Sequence, residues 1–365
     1  MDHVPHSVQN GKAESVCSYE LIPDAEAILA DWEMQIRKAK SSIKMQFHTY
    51  EADLIGQRVS GVLLEAAERG IKVQLLVDYY TDLYHSGQLI HLPRLNKTVR
   101  QALRSEWEAT KLLFQIMKVG GIQIKRTNSL GFLFRKSLWR DHKKLVIIDS
   151  EDKENQVAYV GGINVAEHHI TWHDFMVKMR GCIVTYLDQD FDRTWSGEAN
   201  SGRQIHYGDG YLITDSPGRS LIFEEVLQVI SMAKRRVILE SPYVCGQKMQ
   251  RALTNAAERG VDVSLIVPLH NNHRISVLTQ RSLKYLARSG LHIYQYRNNG
   301  GMTHAKALLA DDLAVFGSSN FNQFLAGKLG ELSIVSPNRA LVSQLEVLLN
   351  KDMTDSMHVL PFPSK

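Results

Sequence analysis

The sequence predicts an α/β protein: two homologous α/β/α-sandwich halves related by a pseudo-two-fold axis, sharing one composite site. Three observations carry that prediction. The first is an internal repeat. AAERGIKVQLLVD at 66–78 returns as AAERGVDVSLIVP at 256–268, an offset of 190 residues. The second is the order of patterns in each copy, apolar strand, amphipathic helix, apolar strand, which indicates βαβ units and a largely parallel sheet. The third is a second repeat. DHKKLVIID at 141–149 and THAKALLAD at 303–311 both read H-x-K-x-x-x-x-D, and each is trailed by an apolar run and a small-residue turn, VAYVGGIN (157–164) and LAVFGSSN (313–320).

Taken in order, SSIKMQFHTYEAD (41–53) and RRVILESPYVCG (235–246) are the apolar strands that open the two copies. The helices after them end at Gly70 and Gly260, where a glycine suits the left-handed backbone of a helix C-terminus. The β-branched runs that follow read as buried strands. The first copy then carries 28 more residues than the second before its H-x-K motif. Matching KVGGIQI to ARSGLHI places 21 of them in the helical stretch 95–118 and seven in TNSLGFLFRKSLW. Leu95, Val99, Leu103, Leu113, Ile116 and Met117 of that helix read as a core-facing stripe. The polar, Gly-rich segment 196–210 reads as the connection, so the halves are set at 1–200 and 201–365.

Composition narrows the class. The 365 residues are 44% hydrophobic and 22% charged, which excludes a disordered chain, a collagen-like chain and a disulfide-stapled miniprotein. A net charge of +4 is too weak to argue for nucleic acid or membrane by itself. Cys17, Cys182 and Cys245 lie far apart in the sequence, in no C-x-x-C pair and in odd number, which predicts a reducing compartment. The first fifteen residues hold no apolar stretch, and no run approaches the ~18 apolar residues of a spanning helix. The expectation is a cytoplasmic protein, or one peripheral on the cytoplasmic face of a membrane, with no signal peptide and no transmembrane helix.

The doubled motif carries the chemistry. In extended backbone His142 and Lys144 share a face, as do His304 and Lys306. Two such pairs about an approximate two-fold axis make one pocket with two imidazoles and two ammonium groups. That pocket suits a phosphodiester, whose non-bridging oxygens the lysines with Asn164 and Asn320 would hold as charge builds. One imidazole can attack phosphorus; the other can protonate the leaving alkoxide and later deprotonate the acceptor. One histidine must then start neutral and the other charged. Carboxylates behind the rings would set tautomer and asymmetry, the candidates being Asp174 and Glu331. Asp149 and Asp311, the motif aspartates, either end strands or act electrostatically.

These strings resemble the phospholipase D superfamily with its duplicated HKD motif, from about residue 20 to about 350. The resemblance is closest to the bacterial cardiolipin synthase branch, through DHKKLVIID…VAYVGGIN, FLFRKSLWRDHKK and ESPYV…ALTNAAERGVDVSLIVP. It implies a two-step, metal-independent mechanism through phosphohistidine, with no cofactor and one active site between the halves. His142, Lys144 and Asn164 correspond to one half-site; His304, Lys306, Ser318 and Asn320 correspond to the other. Glu331 matches a downstream acid, and Asp174 is its counterpart. Gly162 stands where the second half has Ser318, and FNQFLAGKLGE follows Asn320 in place of the branch's usual Arg-Ser and Asn-x-Glu. The implied function is a phosphatidyltransferase that converts phosphatidylglycerol to cardiolipin and glycerol. A hydrolysing phospholipase D and a nuclease of the same superfamily are the alternatives. The implied partners are an anionic phospholipid and a membrane surface, with no obligate protein partner evident. A nuclease should carry a longer basic, aromatic-lined groove, whereas the basic residues here cluster before His142.

Three further groups are weaker. The lead-in with Phe132, Phe134, Arg135, Lys136, Trp139 and Arg140 reads as a membrane or substrate contact, or as packing under the first strand. His270 and His273 follow a strand end, where ligand loops lie in open α/β sheets. The cluster EHHITWHD (167–174) lacks metal-ligand spacing, so His168, His169 and His173 read as polar loop residues beside the site. No metal is expected.

Overall fold

The computed structural model describes residues 17–80, 97–128, 140–198, 202–215, 218–270 and 276–359. The first half forms a seven-stranded sheet in the order β1-β8-β7-β6-β2-β3-β4. Its strands are β1 (Ser18–Ile22), β2 (Ser42–Phe47), β3 (Lys72–Asp78), β4 (Gln123–Thr127), β6 (Leu145–Ile148), β7 (Val157–Gly161) and β8 (Met176–Arg180). The second half forms a nine-stranded sheet, β18-β13-β12-β11-β14-β15-β17-β10-β9. These strands are β9 (Arg203–Tyr207), β10 (Gly210–Thr214), β11 (Arg236–Glu240), β12 (Asp262–Pro268), β13 (His292–Tyr296), β14 (Ala307–Ala310), β15 (Leu313–Gly317), β17 (Leu332–Ser336) and β18 (Ser356–Val359). Seven strands correspond one to one, and β9 and β18 add an edge each. The short strands β5 (Arg140–Asp141) and β16 (Leu329–Gly330) pair with each other across the halves.

Two expectations need correction. Each sheet is mixed: only β2, β3 and β4, and likewise β11, β12 and β13, run parallel. The remaining pairings are antiparallel; β14 and β15 are joined by the two residues 311–312 and β6 and β7 by the loop 149–156, with no helical crossover in either. The segment 196–210 is also more than a connection, since it contains β9.

Helices α1 (Ala25–Lys38), α2 (Leu54–Glu68) and α3 (Lys97–Val119) cover the outer face of the first sheet. Asp24 and Asp53 cap α1 and α2 by accepting the N–H of Ala27 and Gly56. Helices α6 (Leu221–Met232), α7 (Gln247–Glu258) and α8 (Ser276–Leu286) do the same for the second sheet. The repeat is legible in the backbone: Gly70 and Gly260, just past α2 and α7, both have φ +85°. In α3, Phe114 and Met117 are buried against α2, but Ile116 is half exposed, so the predicted stripe is narrower than read.

The inner faces meet. Leu145, Ile147, Ala158 and Val160 of the first sheet share a core with Ala307, Leu309, Ala314 and Phe316 of the second. After the one-turn helix α4 (Glu167–Ile170), helices α5 (Cys182–Ser196) and α9 (Arg339–Thr354) complete it through Leu187, Phe191, Leu345 and Leu349. The alternate residues Val146, Ile148, Leu308 and Ala310 face outward into the two helical layers. Burial on both faces explains why these strands read as unbroken apolar runs.

Candidate active site

Each H-x-K segment lies just ahead of its strand, in extended backbone that the opposite half holds. The His142 N–H donates to the Gly330 carbonyl at 2.8 Å, and the His304 N–H donates to the His173 carbonyl at 2.7 Å. His142, Lys144, His304 and Lys306 are buried together with Asp174, Asn164, Ser318, Asn320 and Glu331.

The carboxylates cross over. His142 Nδ1 lies 3.0 and 3.1 Å from the two oxygens of Glu331, which belongs to the second half. His304 Nδ1 lies 2.8 Å from Oδ2 of Asp174, which belongs to the first. The carboxylate behind each imidazole therefore comes from the opposite half, while the Lys306 ammonium of the same half lies 2.9 Å from His304 Nδ1. The Lys144 ammonium donates to the His142 carbonyl at 2.6 Å, and that of Lys306 donates to the His304 carbonyl and lies 3.9 Å from Asp174. Ser318 Oγ donates to Glu331 and accepts the N–H of Leu332 at 3.0 Å. At the matching position a Cβ on Gly162 would lie 2.2 Å from Asp174 Oδ2, so glycine is what leaves room for that carboxylate. Asn164 Oδ1 accepts the Thr49 N–H at 3.1 Å, while Asn320 Oδ1 is buried with no hydrogen-bond partner among the described residues.

Electrostatics follow from burying like charges together. Burial, then Lys144 and Lys306, hold His142 well below the usual imidazole range. Burial, then Lys306, does the same to His304. The expected split of one neutral and one charged histidine is therefore not built into the free site; both rings are pushed to the neutral form. Burial lowers Lys144 to about 7 and Lys306 to about 8. It raises Asp174 to about 6 and Glu331 to about 7. With its two lysines and two carboxylic acids titrating near neutrality, the site is poised for proton transfer.

Asp149 and Asp311 stand apart from this cluster. Both have left-handed backbone, φ +52° and +51°. Asp149 accepts the N–H groups of Lys40, Ser41 and Ser42 and the Ser41 hydroxyl. Asp311 accepts those of Lys234, Arg235 and Arg236. Each ties the start of the central parallel strand to the far end of the motif strand. Arg140 is buried, held by Asp78 and by the Asn128 carbonyl, which fits the packing reading and not a membrane contact. Phe132, Phe134, Arg135, Lys136, Trp139 and His273 lie outside the described residues. His270 is exposed, its N–H bound to the Gly301 carbonyl ahead of the His304 segment.

The three histidines of EHHITWHD go three ways. His168 is exposed and 3.4 Å from Glu51. His169 is buried 5.5 Å, centroid to centroid, from His304, with Trp172 at 5.3 Å. His173 is buried with Nε2 2.9 Å from Asp352. The last two are thus interior groups and not polar loop residues. His173, Glu240 and Asp352 present ligand atoms within 4.8 Å of one another, a spacing that a cation could occupy. Burial, then the Asp352 charge, push Glu240 well above the carboxylate range, so a proton held between the two carboxyls satisfies the same pair.

Several residues of the site escaped sequence reading. His48, just past β2, packs 4.9 Å from His142 and stacks on Tyr80 at 4.6 Å. Gln46 is the last residue but one of β2 and Glu240 the last of β11, where Gln46 donates to Asp141 at 2.6 Å and Glu240 accepts from Thr303. The one available signal was position, since ligand groups gather at the carboxyl ends of parallel strands.

Comparison with known proteins identifies the family and the fold. The family model described as "Cardiolipin synthase, PLD-like domain" matches residues 33–195 and 226–353. The chain is 24% identical to cardiolipin synthase A of Buchnera aphidicola, over 92% of this chain and 69% of that one. It is 25% identical to the probable cardiolipin synthase YwiE of Bacillus subtilis, over 94% and 67%. The fold is similar to the crystal structure of phosphatidylserine synthase from Haemophilus influenzae, with TM-score 0.68, 13% identity and coverage of 93% and 87%. With well over half of its length inside the family model, the chain belongs to the cardiolipin synthase, PLD-like domain family and is an enzyme of the phospholipase D superfamily.

Proposed function

We propose that the protein is a phosphatidyltransferase that forms cardiolipin and glycerol from two molecules of phosphatidylglycerol through a phosphohistidine. The observation that carries this reading is the crossed pairing of each imidazole Nδ1 with the carboxylate of the opposite half. It leaves Nε2 of both rings for the reacting phosphorus, with two ammonium groups beside them.

In the first step His142 Nε2 attacks phosphorus and the bond from phosphorus to the glycerol oxygen breaks. His304 supplies the proton that the leaving alkoxide takes up. In the second, a hydroxyl of another phosphatidylglycerol attacks phosphorus, His304 takes its proton, and the bond to His142 breaks. The free site holds both rings neutral, so the charge on His304 must come with substrate. A phosphodiester anion offsets the two ammonium charges that depress the imidazoles, and Asp174 then favours the proton on His304. The assignment of attack to His142 and proton transfer to His304 rests on Glu331 and its Ser318 donor behind His142. The substrate places the protein at a bilayer surface. Among the described residues no helix is long and apolar enough to cross one.

The test is incubation of wild type, His142→Ala and His304→Ala in EDTA with phosphatidylglycerol vesicles or single-stranded DNA. Cardiolipin plus glycerol from the wild type alone supports transfer. Phosphatidic acid means hydrolysis, and cut DNA beside inert lipid overturns the lipid reading. Phosphate trapped only on His304 reverses the two roles.

A further inference from the structure

The three cysteines are distant in sequence, yet two of them meet. Cys17 Sγ and Cys182 Sγ lie 2.7 Å apart, not far beyond the ~2.05 Å of a formed disulfide. The contact follows from the fold. Strand β1 pairs with β8 in the register Ser18 to Arg180, so Cys17 and Gly181 are the next positions on each strand. Gly181 has φ +93°, a backbone that side chains rarely adopt, and it swings the first residue of α5, Cys182, alongside Cys17. Both cysteines are half-buried, and the Ile183 N–H at the start of α5 donates to Cys17 Sγ at 3.4 Å.

We propose that Cys17 and Cys182 are a redox-active pair that closes to an intramolecular disulfide when met by a small-molecule disulfide, clamping the edge strand of the first sheet. The Cys17 thiolate attacks one sulfur of the oxidant, forming a mixed disulfide and releasing one thiolate. The Cys182 thiolate then attacks Cys17 Sγ, forming the internal bond and releasing the second. Two protein thiols are oxidised, one external disulfide is reduced to two thiols, and two protons leave the cysteines. Cys245 stays out of the exchange: it is buried in the second half, and burial pushes its thiol up to about 11.

The clamp acts on the seam between the halves. The Leu21 N–H donates to Gln344 Oε1 on α9 at 2.8 Å, Gln344 Nε2 donates to the Tyr19 carbonyl at 3.3 Å, and the Tyr19 hydroxyl donates to that of Tyr207 at 3.3 Å. Strand β1 thus fastens the first half to α9 and β9 of the second. A bond from Cys17 to Cys182 stops it from peeling away.

The test treats full-length protein, first reduced and freed of reductant, with oxidised glutathione. The expected product is 2 Da lighter, retains one free thiol after denaturation, and yields a Cys17–Cys182 cross-linked peptide on digestion. Amide hydrogen exchange across 18–22 should slow about tenfold on oxidation and recover with reductant. Cys245→Ser should lose the same 2 Da, whereas Cys182→Ser should stop at a mixed disulfide on Cys17. Three free thiols after treatment, a link to Cys245, or a linked peptide with unchanged exchange in β1 would overturn the proposal.

Discussion

In the half that carries His142, position 162 is glycine and the space in front of it holds the Asp174 carboxylate. In the half that carries His304, the same position is Ser318, whose hydroxyl donates to Glu331. Glycine goes with the shorter acid and serine with the longer. The surroundings differ as well. His142 is flanked by His48, and His304 by His169 and Trp172. Lys143 is buried on Asp190, where the second copy has Ala305. What is common to the halves is therefore the frame, and what differs is the pocket around each imidazole. A duplicated fold can in this way assign two chemically identical rings to two tasks.

The largest effect should come from the rings themselves. His142→Ala and His304→Ala are each expected to lower kcat by about 10⁴-fold or more, as loss of a nucleophile or its acid–base partner does elsewhere. Single-turnover assays check this. If both rings are essential but only one variant still accumulates phosphoenzyme, the division of labour is established.

Next are the ammonium groups. Lys144→Met and Lys306→Met should each cost about 10²–10³-fold in kcat, by analogy with removal of one transition-state donor. Their titration also sets a pH limb. Lys144 sits at about 7 and Lys306 at about 8, and an ammonium group loses its charge as pH rises through its pKa. kcat/KM should therefore fall across pH 7 to 8. Lys144→Arg should move the fall to higher pH, because a guanidinium group stays charged there. A pH–rate profile that does not respond to that substitution would contradict the assignment.

The size pairing predicts an asymmetry. Gly162→Ser places a Cβ against Asp174 and should cost about 10–100-fold by displacing the carboxylate behind His304. Ser318→Gly removes one donor to Glu331 but clashes with nothing, and should cost less. The double variant does not restore activity, because serine and aspartate together still overfill the first half. Steady-state kinetics on the three proteins separate these outcomes.

The smallest effect on rate should come from the motif aspartates. Asp149→Ala and Asp311→Ala each remove a carboxylate that holds three backbone N–H groups, at an expected cost of about 1–3 kcal/mol in stability. Activity per folded molecule should be nearly unchanged. Denaturant melts beside specific activity distinguish this from a role in the chemistry.

The sequence alone determined the duplication, the α/β class, the helix ends at Gly70 and Gly260, and the two sets of His, Lys and Asn. Those features are local: a period, a cap or a motif is written within a few residues and needs no partner to be read. Tertiary structure decided the rest. Which acid serves which imidazole depends on Gly330 and His173 receiving the motif backbones of the opposite halves. The sheets are mixed because hairpins and crossovers alternate, and a βαβ pattern reveals only the crossovers. Arg140 ended in the interior because Asp78, 62 residues earlier, was there to pair with it. Cys17 and Cys182, 165 residues apart, met because one glycine turned the chain. Each of these outcomes needs two segments to arrive in one place, and sequence spacing carries no record of that meeting until the chain has folded.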